Sequence, residues 1–64
     1  MSFKQFRELH NLTKQQVYAG SGLKRSVLET IENNTGRAKA HQVVLLIRYY
    51  KSVDPSIQAS SFTY

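Results

Sequence analysis

The sequence predicts an all-α domain of four or five helices. Three observations carry that expectation. Apolar residues recur at helical spacing in successive stretches, Ser/Thr-x-x-Gln capping boxes open the first two of them, and Gly or Asn residues punctuate their ends. Sixty-four residues make one domain, with its core expected over 3–53 and a tail over 54–64. A chain this short buries only about 60% of the surface its unfolded form exposes. It contains no cysteine, and His10 and His41 have no second ligand at metal-binding spacing. Disulfides and metals are therefore not expected to supply the missing stability, which leaves self-association.

The first capping box is Ser2 with Gln5. It opens a helix carrying Phe3, Phe6 and Leu9 toward the core, and His10-Asn11 ends it. Thr13 with Gln16 opens a second, short helix, which Gly20, Ser21 and Gly22 break after about two turns. A third helix is expected over 24–33, because Leu23, Val27, Leu28 and Ile31 fall on one side. Asn33, Asn34, Thr35 and Gly36 stop it, since Asn and Gly tolerate the left-handed conformation that closes helices. A fourth helix over 40–51 places Val43, Leu46, Ile47 and Tyr50 inward, with Val44 and Leu45 off that stripe. The same region is rich in β-branched and aromatic residues, so a strand over 46–53 competes. Asp54-Pro55 reads as a helix start, with Asp as cap and Pro at the first helical position, or equally as a turn between two strands; a short fifth helix in the tail is the favoured expectation.

Nine Lys and Arg against four Asp and Glu give a net charge of +5. That excess suits a polyanionic partner. The longest apolar run, 43–47, has five residues, against the roughly 20 needed to cross a bilayer. No secretory signal precedes the first helix, so a cytoplasmic protein without a membrane partner is expected. The acidic residues form no carboxylate pair and no Ser-His-Asp grouping is visible; the sequence names neither a catalytic residue nor a cofactor.

Function is concentrated in residues 12–34, LTKQQVYAGSGLKRSVLETIENN. A short capped helix, a glycine turn and a second helix with an apolar inner side make a helix-turn-helix. Val17 is expected to pack on Leu28 and Ile31, Gly22 to allow the sharp turn, and Leu23 to seal the corner. With its apolar side held inward, the second helix projects its start from the protein body. That start carries Lys24, Arg25 and Ser26.

The chain here resembles the Cro/repressor family of phage and bacterial regulators. Leu12-Thr13, Val17, Gly22-Leu23, Leu28 and Ile31-Glu32 stand where that family has its Leu-Thr, Leu, Gly-Val, Ile and Ile-Glu. The resemblance implies a lambda-repressor-like fold. It also implies an Arg7–Glu32 salt bridge tying the first helix to the recognition helix. By the same resemblance Arg25, Ser26 and Thr30 match residues that reach base edges, Arg25 through the two acceptors of guanine. Thr13 and Lys14 begin a helix whose amino end faces phosphate. Lys24, Asn33, Asn34, Arg37 and Lys39 complete the expected phosphate rim. Two positions depart from the family pattern. Tyr18 replaces an alanine where the two helices approach closely, so its ring must swing outward or push them apart. Lys24 replaces a Ser or Thr cap, costing about 1 kcal/mol of capping.

The expected function is therefore regulation of transcription by a homodimer on double-stranded operator DNA. Val44, Leu45, Tyr49 and Phe62 are the expected dimer contacts, since aromatics favour interfaces. A rival reading keeps the fold but turns it on another regulatory protein, as an antirepressor. A mixed reading is an antitoxin that binds both a toxin and its own promoter.

Overall fold

The computed structural model describes residues 1–33 and 37–62. Helices α1 (Phe3–Leu9), α2 (Lys14–Ser21), α3 (Arg25–Asn33) and α4 (Ala40–Val53) follow in order, with a 3-10 turn at Ala59–Ser61. Among the described residues there is no strand, so the competing strand over 46–53 is overturned: that stretch is the last part of α4. Its β-formers are accommodated because Leu46 and Tyr50, one helical turn apart, are both fully buried. Packing decides over propensity here.

Both expected capping boxes form. The Ser2 hydroxyl accepts from the Gln5 N–H at 3.1 Å, and the Ser2 N–H donates to the Gln5 side chain at 2.8 Å. Thr13 and Gln16 repeat the pattern at 3.1 and 2.8 Å. Each box satisfies two amides that a helix start would otherwise leave bare. Helix α1 ends where Asn11 turns left-handed, at φ 54°, a conformation asparagine adopts more readily than most residues. Helix α2 ends at Gly22, with φ 81° and its N–H bonded to the Tyr18 carbonyl. Gly20 does not break α2 as expected but lies within it. A Cβ there would run into the Tyr49 ring, approaching Cδ1 at 2.7 Å, so the missing side chain lets α4 pack closely on α2.

The core joins Phe3 and Phe6 of α1, Val17 of α2, Leu23, Leu28 and Ile31 around α3, Val43, Leu46 and Tyr50 of α4, and Phe62. Leu9, expected inside, is 68% exposed. Helical geometry explains the exchange. At about 100° per residue His10 falls between Phe3 and Phe6, whereas Leu9 lies some 60° beyond Phe6. His10 accordingly stacks on Phe6 with ring centroids 4.0 Å apart, and its Nδ1 lies 3.0 Å from the Phe6 carbonyl oxygen. It is half-buried.

The expected fifth α-helix is absent from the tail. Asp54 uses its side chain for a tight turn instead, accepting from the Ser56 hydroxyl at 2.6 Å and the Ser56 N–H at 3.1 Å. Its other oxygen lies 3.4 Å from His10 Nε2, joining the ends of α1 and α4. Beyond this turn Phe62 enters the core and stacks on Phe3, with centroids 4.7 Å apart. Phe62 is thus corrected from dimer contact to core residue. Of the other expected dimer contacts, Leu45 and Tyr49 are half-buried against the core and Val44 is 57% exposed.

The hydrogen bonds from Ser56, its hydroxyl foremost, lower the Asp54 pKa, with His10 adding to the shift. A carboxyl depressed on folding contributes stability above its unfolded pKa of about 3.9, and that stability is lost as pH falls through the folded value. Asp54→Asn should therefore melt below wild type at neutral pH, with the gap closing in acid. Thermal melts across pH check this; a gap independent of pH would mean the charge contributes nothing.

Candidate nucleic-acid interface

The interface is built on the α2–turn–α3 unit. Val17, Leu28 and Ile31 are fully buried together, and Leu23 just after the turn is 7% exposed. Ser21 is buried at the corner, where its hydroxyl accepts from the Leu23 N–H at 3.3 Å. These contacts fix one side of α3 and leave the other to solvent. Tyr18, at the close approach of the helices, is half-buried at the edge of the core.

Behind α3 lies the expected tie to α1. Arg7 Nε donates to Glu32 Oε2 at 2.8 Å, and its Nη2 donates to Oε1 at 3.3 Å. A third bond runs from Arg7 Nη1 to the Leu12 carbonyl at 3.2 Å. The two side chains are 12% and 3% exposed. The Glu32 hydrogen bond raises the Arg7 pKa against the opposing cost of burial. A fork-to-fork pair of this kind fixes orientation as well as distance, so α3 is held in both position and roll.

Lys24, Arg25 and Ser26 are exposed at the start of α3. Lys24 accepts the first intrahelical bond through its carbonyl, from the Leu28 N–H at 3.0 Å. Its side chain has only donors and cannot cap the amides in front of it. Arg25, with a side chain 72% exposed, rests its Nε on Glu29 Oε1 at 3.3 Å, one turn along. Lys14 Nζ approaches the same oxygen at 4.0 Å. Glu29 thereby gathers the start of α2 and the start of α3 into one cationic edge. Exposed pairs like these add little stability; their effect is to bias where the Arg25 guanidinium points.

One turn farther along, the Thr30 hydroxyl donates to the Ser26 carbonyl at 2.9 Å. Its oxygen lone pairs remain open toward solvent. Ser26 and Thr30 share a shallow groove with Arg37 and Lys39, floored by Val27 and Gln42. The fold thus brings three of the expected phosphate-facing side chains, Lys14, Arg37 and Lys39, around the expected base readers. Asn33 is exposed at the far end of α3, and Asn34 lies outside the described residues. Thr13 is exposed, with its own amide and that of Gln16 already bonded within the capping box. The amides of Lys14 and Gln15 are then the open ones at the α2 amino end.

Sequence reasoning missed Gln42 and Val27 in the groove. Gln42 has a local signal, because it stands at the third position of α4 and accepts from the Lys39 N–H at 3.4 Å. Among the described residues no three His, Cys, Asp or Glu side chains cluster as metal ligands. No helix among them is long and apolar enough to cross a membrane. The arrangement offers a cationic, hydroxyl-bearing helix face.

A family model described as helix-turn-helix matches the chain over residues 3–58. No curated protein and no solved structure matches the chain.

Proposed function

Because the chain belongs to the helix-turn-helix family, we propose that it acts as a Cro/repressor-like regulator, reading operator DNA through α3 and repressing transcription by occluding a promoter. The observation that carries this reading is the division of α3 into two sides. Leu28 and Ile31 are fully buried, while Lys24, Arg25, Ser26 and Thr30 are exposed. A helix held this way can enter the major groove start-first.

In this reading Arg25 bonds a guanine through its two major-groove acceptors, with Ser26 and Thr30 beside it. Lys14, Thr13, Lys24, Asn33, Arg37 and Lys39 bear on the phosphates on either side. Two copies would present their recognition helices about 34 Å apart, on a site with approximate two-fold symmetry. The large apolar side chains exposed among the described residues are Met1, Leu9, Val44 and Val53.

Gel-shift or fluorescence titration against the DNA flanking the gene tests the reading. About five phosphate contacts predict a log–log salt slope near −4 to −5. Arg25→Ala should cost about 1–3 kcal/mol of discrimination at one base pair and leave the melting temperature close to wild type. Sequence preference that survives the substitution unchanged removes Arg25 from base reading. Binding that is insensitive to salt removes DNA altogether.

A further inference from the structure

The outer side of α4 carries a second stripe that the core uses only in part, through the half-buried Ile47. Val44, Ile47, Arg48 and Lys51 recur at i, i+3, i+4 and i+7, and with Ala59 of the 3-10 turn they line a shallow groove. Its floor is apolar, with Val44 57% exposed, and both cations at its margin are exposed. Among the described residues neither Arg48 nor Lys51 has an acidic partner. Three of the four acids in the chain are engaged elsewhere: Glu32 by Arg7, Glu29 by Lys14 and Arg25, and Asp54 by His10. Helix α4 itself contains no Asp or Glu.

A second copy is a poor occupant of this groove. In a two-fold contact a patch meets itself, so Arg48 and Lys51 would meet the same two cations without a carboxylate to separate them. The complementary surface is apolar along its centre and acidic along its edge. We propose that the groove receives an acidic amphipathic helix of another protein, with apolar side chains seated on Val44 and Ile47 and carboxylates paired to Arg48 and Lys51.

The groove and the α3 face are on opposite sides of α4. Gln42, beside α3, and Lys51 are nine residues apart, which is about 900° of helical rotation and so a net half turn. Partner and nucleic acid can then be held together, and the proposal does not depend on the DNA reading.

Two synthetic helical peptides with the same leucine stripe, one flanked by Glu and the other by Lys, test it by titration into the isotope-labelled full chain. The Glu peptide should bind saturably, with amide shifts centred on Val44, Ile47, Lys51 and Ala59. Arg48→Glu combined with Lys51→Glu should weaken it about tenfold or more, with helicity by circular dichroism unchanged. Arg25→Ala should leave its binding unaltered, which separates this outcome from failure of the DNA reading. Equal binding of both peptides, shifts centred on Lys14 and Arg25, or no saturation by about 1 mM overturns the proposal. So does self-association of the free protein that Val44→Asp abolishes, since the occupant is then a second copy.

Discussion

Glu32→Ala is expected to destabilise the domain by about 3 kcal/mol. In the intact pair the Arg7 side chain is 12% exposed; the substitution leaves its guanidinium with only the Leu12 carbonyl to bond, and an unmatched charge so placed is far costlier than a missing methyl group. A chain of this length has only roughly 3–10 kcal/mol of total stability, so the variant should lose about a third of it or more. Replacing both partners, Arg7→Met with Glu32→Leu, should recover most of the loss, because the desolvation cost disappears along with the attraction. Urea titrations of the two single variants and the double variant give the coupling directly. A loss below about 0.5 kcal/mol for Glu32→Ala would class the pair with ordinary surface bridges. The double variant also separates stability from orientation. If the bidentate geometry sets the roll of α3, the refolded double variant should still bind DNA less selectively than wild type.

The second large effect lies at the other end of the chain. Phe62→Ala should cost about 3–5 kcal/mol, lowering Tm by about 15 °C or more. Phe62 is only 6% exposed, and its ring meets Phe3 at 4.7 Å, Phe6 at 5.6 Å and Tyr50 at 5.8 Å between centroids. Tyr50 adds a hydrogen bond from its hydroxyl to the Phe3 carbonyl at 3.3 Å. Burial raises the Tyr50 pKa, which keeps that donor protonated. Phe62→Leu should restore part of the loss, since it refills volume without the ring stacking. Thermal melts of the two variants decide the matter; an unchanged Tm for Phe62→Ala would place the tail outside the cooperative unit.

What could be read from the sequence was mostly what neighbouring residues decide among themselves. Ser2 with Gln5 and Thr13 with Gln16 form their boxes three residues apart, and Gly22 supplies a turn that few other residues would accept. The inner side of α3 was visible in the spacing of Leu28 and Ile31, and from it the projecting start of that helix. The Arg7–Glu32 tie spans 25 residues and was legible only through the family resemblance.

The misreadings arose where distant parts of the chain compete for one place. Phe62 follows a serine-rich stretch with no periodicity, so nothing beside it signals burial; the space it fills is made by Phe3, Phe6 and Tyr50. Leu9 and His10 are neighbours, and helical phase gives the inner position to the more polar of the two. Asp54-Pro55 has the composition of a helix start, yet the Asp54 carboxylate is taken two residues later by Ser56. In the interface the Arg25–Glu29 pair is local, at i, i+4, whereas the approach of Lys14 to Glu29 needs α2 and α3 already in place.

The stacking of Phe3 on Phe62, with the Met1 amino group on the Ser61 carbonyl at 3.2 Å, also orders events in time. A nascent chain releases α1 from the ribosome first and residue 62 more than fifty positions later. Synthesis at about 5–20 residues per second makes that delay a matter of seconds, while helices relax within about a microsecond. The Phe3 and Phe6 rings therefore cannot be fully covered until residue 62 has emerged, and the aromatic cluster shuts only then.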